Sequence, residues 1–260
     1  MRLDLAYDGS GFAGWARQPG QLTVQGTLED ALATVLRRPV SLTVAGRTDA
    51  GVHATGQVCH ADLAAGSDVA GLPRRANALL DPSVRVLAAS PAPPGFDARF
   101  AALARVYRYR VSDAEHGAGP LRRHDTAAHP RPLSLRALRA AARPLVGEHD
   151  FASFCRRRQG ATTIRALRRL TWVRRPDGVL VATVEADAFC HQMVRALVGA
   201  LLLAGDGRRP VGWPGELLSR RARDAGAPVA PACGLTLVEV RYPAPSRLAA
   251  RAAATRRKRS

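Results

Sequence analysis

The densest run of chemistry-bearing side chains is Gly46-Arg47-Thr48-Asp49-Ala50-Gly51-Val52-His53. Two glycines bracket a short polar segment and let the backbone turn tightly enough to present Arg47 and Asp49 together. A carboxyl held about 4 to 6 Å from a guanidinium is kept below its ordinary pKa and stays ionised, ready to act as nucleophile or base. The same residues would also make an ordinary surface turn closed by a salt bridge. Metal chemistry has less support, because His53 and His60 are seven residues apart with no carboxylate at zincin spacing and no H-E-x-x-H occurs. No G-x-S-x-G elbow is present for serine chemistry.

Two further residues are chemically conspicuous. Arg195 lies within Phe189-Cys190-His191-Gln192-Met193-Val194-Arg195, at the opening of the most apolar helical stretch in the chain. A charge there either snorkels to water or pairs with a carboxylate, and none is close in sequence. Tyr107, within Arg105-Val106-Tyr107-Arg108-Tyr109, is an aromatic flanked by arginines, the combination that holds unstacked bases. A strand tyrosine more often serves cross-strand packing, and no RNP-type signature supports the RNA reading. Gly9-Ser10-Gly11-Phe12-Ala13-Gly14 fits the dinucleotide fingerprint, but the required helix does not follow, since Trp15 to Gly20 is rich in breakers.

Hydrophobic periodicity supplies the elements that must position these groups. Leu3, Leu5 and Tyr7 alternate with polar neighbours as in a half-buried strand, and Leu28, Ala31, Leu32, Val35 and Leu36 predict a helix over 27–38 with Thr27 as N-cap. Strands are expected at 42–44, 58–63, 84–88 and 105–111, with a helix over 72–80. After a long loop over 113–132 come a helix from Ser134, strands over 166–174 and 179–187, helices over 191–204 and 214–223, and a last strand over 235–242. Helices and strands in both halves predict an α+β protein of two similarly built domains, each a mostly antiparallel sheet with helices packed on one face. The expected boundaries are 1–104, carrying the Asp49 loop, and 105–243. The remainder, 244–260, reads as a disordered basic tail.

The chain of 260 residues carries 39 Lys and Arg against 21 Asp and Glu, a net charge of +18. Solubility needs only about 2 to 8, so a polyanionic partner is expected. Lys258 is the only lysine, and arginine forks onto phosphate and stacks on bases. No signal-peptide core follows the N-terminus, and the longest apolar run, Met193 to Ala204, is too short to span a bilayer and is broken by Arg195. A cytoplasmic protein is expected. Cys59, Cys155, Cys190 and Cys233 form no C-x-x-C pair, which predicts reduced thiols.

The segment from Gly46 to Ala54 resembles, position for position, the catalytic loop of the bacterial tRNA pseudouridine synthase A family. Tyr7-Asp8-Gly9, Gly14-Trp15, Val24-Gln25-Gly26, Thr55-Gly56-Gln57-Val58, Ala98-Arg99-Phe100 and Tyr107-Arg108-Tyr109 resemble its motifs in the same order. So do Gly147-Glu148-His149-Asp150-Phe151, Phe189 with His191 to Arg195, and Gly234-Leu235-Thr236-Leu237. The resemblance covers about residues 1 to 243. It departs from the family at Asn77-Ala78-Leu79-Leu80-Asp81-Pro82-Ser83-Val84, where the family usually reads Asn-x-x-Leu-Pro-x-Asp-Ile.

The resemblance implies an isomerase that converts uridine to pseudouridine in the tRNA anticodon stem-loop, at positions 38, 39 and 40, without cofactor or metal. Asp49 would be the essential nucleophile. Arg47 would open and hold the RNA, Arg195 would pair with Asp49, Tyr107 would stack on the flipped uracil, and Leu235 would form part of the apolar pocket floor. Family members resemble homodimers with tRNA lying across both subunits.

Overall fold

Burial alternates along β1 (Arg2–Tyr7), where Leu3, Leu5 and Tyr7 face inward and their neighbours are half-buried, the signature of a strand with one face on a core. This computed structural model describes residues 1–63, 69–156, 162–222 and 227–256. The chain divides into two units: unit 1 comprises Met1–Arg105 and Leu237–Arg257, and unit 2 contains Val106–Thr236. The fold is α+β, with mostly antiparallel strand pairing. The expected domain boundary at 104/105 takes no account of the return of the chain to unit 1 at Leu237.

In unit 1, β1 is followed by α1 (Val24–Leu36), β2 (Thr43–Val44), β3 (His53–His60), α2 (Leu72–Asn77) and β4 (Val84–Ser90). The strand order is β4, β1, β3 and then β10 (Leu235–Arg241), with β2 paired to β3. β1 is antiparallel to both neighbours, and its register against β3 shifts between Leu5, opposite Gln57, and Tyr7, opposite Ala54. α1 begins earlier than periodicity suggested. Thr23, rather than Thr27, is the N-cap, its Oγ1 accepting from the Gly26 N–H at 3.2 Å. Gly26 makes room for this cap, because a Cβ there would sit 2.9 Å from the capping hydroxyl. β3 also starts earlier than expected, since the polar residues His53 and Gln57 are buried within it and interrupt the apolar signal.

The departure at 77–84 is absorbed locally. Asn77 donates to and accepts from the Val86 backbone at 2.9 Å, so a side chain completes the edge beside the turn.

Unit 2 holds β5 (Ala104–Ser112, from Val106 on), β6 (Ala127–Ala128), α3 (Leu135–Ala142), β7 (Gly147–Asp150), β8 (Ile164–Arg174), β9 (Leu180–Ala186), α4 (Met193–Gly205) and α5 (Trp213–Arg220). The strand order is β5, β9, β8, β7, with the short β6 parallel to β5. α3 packs on β8 and on α4, and α4 packs on α5. Leu138, Phe151, Phe154, Trp172, Leu197 and Leu201 are buried in this unit's core.

The expectation of a disordered tail over 244–260 is corrected. A short 3-10 turn, Pro245–Arg247, leads into α6 (Leu248–Arg256). Leu248 and Ala252, four apart on one face, are buried with Ala101 beside Phe96, Phe100 and Tyr242. Arg256 pairs with Asp97 at 2.9 Å and lies over the Phe100 ring. The charge run masked this short apolar stripe in sequence. Residues 257–260, the rest of the expected tail, lie outside the described residues. Among the described residues no helix is long and apolar enough to cross a membrane.

Candidate active site

The Asp49 loop joins β2 to β3 in unit 1. Gly51 takes a left-handed conformation, φ +75°, which closes the turn. The loop backbone is tied at both ends. Ala45 N–H donates to Val58 O at 2.9 Å, Trp15 N–H to Thr48 O at 3.0 Å, Gly51 N–H to Phe12 O at 3.3 Å and Val52 N–H to Asp49 O at 3.1 Å. Gly14 lies so close against the loop that a Cβ would approach Thr48 O to 2.9 Å. Within this frame Asp49 is half-buried and Arg47 exposed. One loop therefore presents both side chains.

Side chains from unit 1 hold the loop from beneath. Gln57 Nε2 donates to Gly46 O at 2.9 Å and to Tyr7 Oη at 3.1 Å, and Tyr7 Oη lies 2.8 Å from Thr48 Oγ1. Arg105 donates to Ala45 O through Nε (3.2 Å) and Nη2 (2.6 Å), and through Nη2 to Arg99 O at 2.7 Å. Burial pushes the Tyr7 phenol up to about 12, so it remains protonated at neutral pH. Tyr7 and Gln57 belong to matched motifs but carried no assigned role. Their inward alternation on strands was the only available signal.

The two histidines weighed as metal ligands have other partners. His53 Nδ1 accepts from Gly9 N–H at 3.0 Å and lies 3.1 Å from Asp8. His60 Nδ1 accepts from Ala98 N–H at 3.0 Å, and burial lowers its pKa. Among the described residues no group of three or more His, Cys, Asp or Glu is placed to hold a metal ion.

Tyr107, Arg195 and Leu235 belong to unit 2. Tyr107 is buried on β5, with the Phe189 ring edge-on to it at 5.2 Å and 89°. That contact fixes the ring plane. Arg195 stands in the first turn of α4, half-buried, with Nε donating to Ala230 O at 2.7 Å and its own carbonyl accepting from Ala230 N–H at 3.0 Å. It neither lies wholly in the core nor reaches freely into water. Leu235 opens β10, 5% exposed. The preceding Gly234 admits no side chain, because a Cβ would meet the Tyr109 ring at 2.6 Å and Arg110 O at 2.7 Å. A cavity of about 700 Å³ in unit 2, lined by Pro144, Glu148, His149, Asp150 and Ile164 among others, includes none of Arg47, Asp49, Tyr107, Arg195 and Leu235.

Cys155 and Cys190, 35 residues apart in sequence, are brought together next to Phe189 with Cα atoms 5.7 Å from each other. Spacing motifs detect local pairs and cannot see one made by tertiary folding. Cys59 and Cys233 are in no such pair.

Comparison with known proteins adds to this geometry. Residues 141–243 match the family model described as tRNA pseudouridine synthase. The chain is 65% identical over 257 residues to the tRNA pseudouridine synthase A of Frankia casuarinae, covering 98% of this chain and 94% of that one. It is 56% identical to the protein of the same name from Streptomyces griseus, over 100% of this chain and 94% of the relative. With that from Mycobacterium leprae the identity is 52%, over 100% and 95% of the two chains.

Proposed function

Because the chain belongs to the tRNA pseudouridine synthase A family, an isomerase family that converts uridine to pseudouridine in tRNA, we propose that it acts on the anticodon stem-loop at positions 38 to 40 with Asp49 as its essential nucleophile. The observation that carries this reading is the Asp49 loop, a half-buried carboxylate on a backbone fixed from both sides. Chemistry at a flipped nucleotide requires such a fixed group, because the effective molarity of an oriented carboxylate is lost when it wanders.

The uridine N1–C1′ bond breaks, the uracil turns, and a C5–C1′ bond forms. The C5 proton leaves and N1 ends protonated, so nothing external is consumed. Asp49 either attacks C1′ or takes the 2′ proton. Arg47, exposed on the same loop, grips the RNA and holds the target nucleotide out of its stack. Arg195 serves the Asp49 carboxylate, Tyr107 stacks on the extruded base with its plane set by Phe189, and Leu235 contributes apolar pocket floor. The protein works in the cytoplasm as a homodimer whose two copies share the tRNA, and the +18 charge supports the backbone grip.

The test uses tRNA carrying tritium at C5 of uridine, with the purified protein in EDTA. Tritium should pass to water with the wild type and remain in RNA with Asp49→Asn, while both proteins bind tRNA. Binding without release by the wild type would mark a non-catalytic RNA-binding protein. EDTA-sensitive strand cleavage would mark a metal-dependent phosphodiesterase.

A further inference from the structure

The floor under the Asp49 loop is made of polar side chains where apolar ones would fill the space. Gln57 is 0% exposed, Tyr7 4%, Thr48 7% and Arg105 8%. Burying such groups gains stability only if each is fully hydrogen-bonded, and leucine or phenylalanine would avoid the desolvation cost. Apolar residues would lose direction, however, because they cannot hold a chosen carbonyl at a chosen angle. Arg105 takes the carbonyl of Ala45, Gln57 that of Gly46, and Tyr7 the hydroxyl of Thr48. Three of the four residues that lead into Asp49 are thereby fixed.

The hydrogen bonds form a connected chain. Gln57 spends both Nε2 protons, one on Gly46 O and one on Tyr7 Oη. Tyr7 Oη, having accepted from Gln57, shares a second hydrogen bond with Thr48 Oγ1, 2.8 Å away, in which either hydroxyl can donate. The strand geometry that aims these groups is also irregular, for the β1–β3 register shifts between Leu5 opposite Gln57 and Tyr7 opposite Ala54. Such bulges re-aim side chains beside active sites.

We infer that Tyr7, Gln57 and Arg105, acting through Thr48, Gly46 and Ala45, are positioning residues that set the attack geometry of Asp49. This inference rests on the reading of Asp49 as nucleophile. The network touches no substrate; it acts by denying the loop other conformations. Removing one bond therefore slows chemistry without weakening the grip on tRNA.

Near-isosteric variants of the full chain separate positioning from folding. Tyr7→Phe and Thr48→Val each delete one hydroxyl and retain volume. Each should slow the single-turnover tritium-release rate by ~10- to 100-fold, the scale expected for a misplaced reacting group. tRNA affinity and the thermal midpoint should stay near wild type. Thr48→Ser, which keeps the hydroxyl, should recover most of the rate. Because the two hydroxyls share one bond, the double variant should be no slower than the slower single. Wild-type rates in both singles, additive losses in the double, or rate loss that tracks lost affinity or stability would each overturn the inference. Asp49→Asn distinguishes the two levels. If it still turns over, the nucleophile reading fails. If it is dead while Tyr7→Phe and Thr48→Val run at full rate, only the positioning network fails.

Discussion

Asp49 and Arg195 are held by opposite means. Asp49 stands on irregular backbone in unit 1, and its neighbours are fixed by directed polar contacts: Trp15 N–H on Thr48 O, Gln57 on Gly46 O and Arg105 on Ala45 O. Arg195 stands in unit 2 on the first turn of α4, where Met193, Val194, Ala196 to Leu202, Ala204 and Gly205 are buried and the helix itself is the scaffold. A loop can carry a reactive group rigidly if hydrogen bonds replace what a helix obtains from periodic apolar packing. The two anchors should fail differently.

The largest stability effect belongs to the packed helix. Leu197 is fully buried in α4, and Leu197→Ala should cost ~2–5 kcal/mol in chemical denaturation. A cost below ~1 kcal/mol, less than a buried methylene pair, would show that α4 is not held by its apolar face. The loop should instead break through a backbone intrusion. Gly14 has φ +103° and would drive a Cβ to 2.9 Å from Thr48 O, so Gly14→Ala should cost ~1–3 kcal/mol. Its tritium-release rate should fall further than that stability loss accounts for. A rate that drops only in proportion to the unfolded fraction would remove the contrast between the two anchors.

Acid sharpens the comparison from unit 2. The Arg174 guanidinium, bonded to both Asp113 oxygens at 2.7 and 2.8 Å, holds the Asp113 carboxyl below its ordinary value, helped by the Leu133 N–H and opposed by burial. A carboxyl depressed in the folded state stabilises fully above its unfolded pKa of about 3.9 and loses that contribution as pH falls through the folded value. Arg174→Gln should therefore reduce stability at neutral pH and flatten the acid limb of the unfolding profile below about pH 4. An unchanged acid limb would exclude this pair from unit 2's acid sensitivity. The smallest effect is expected at α6. The Arg256–Asp97 pair is 61% exposed on the arginine side, so Arg256→Ala should shift stability by roughly 0–1 kcal/mol.

The same contrast explains what could be read from sequence. α4 was legible because its continuous apolar run is almost wholly buried, and Arg195 stood out as the one charge within it. The composition of the Asp49 loop was visible in Arg47, Asp49 and two glycines. Its rigidity was not, because the partners of Ala45, Gly46 and Thr48 come from Arg105, Gln57 and Tyr7, between 11 and 60 residues away. The approach of Cys155 to Cys190 escaped for the same reason, since only folding brings the two together. At α1 and α6 the errors were local. Thr27 opened the apolar periodicity where Thr23, one turn earlier, is the cap, and basic residues hid the Leu248/Ala252 stripe.

Unit 1 is made from two separated stretches of chain, with unit 2 inserted whole between Arg105 and Leu237. During synthesis unit 2 can close on itself, while β3 still waits for β10 along an edge where Gly56 leaves only 2.2 Å between an imagined Cβ and Val238 O. The strand that runs directly out of the Asp49 loop gains its neighbour only after all of unit 2 has left the ribosome. Nascent chains therefore carry the arginines of unit 2 before the sheet beside the Asp49 loop is complete.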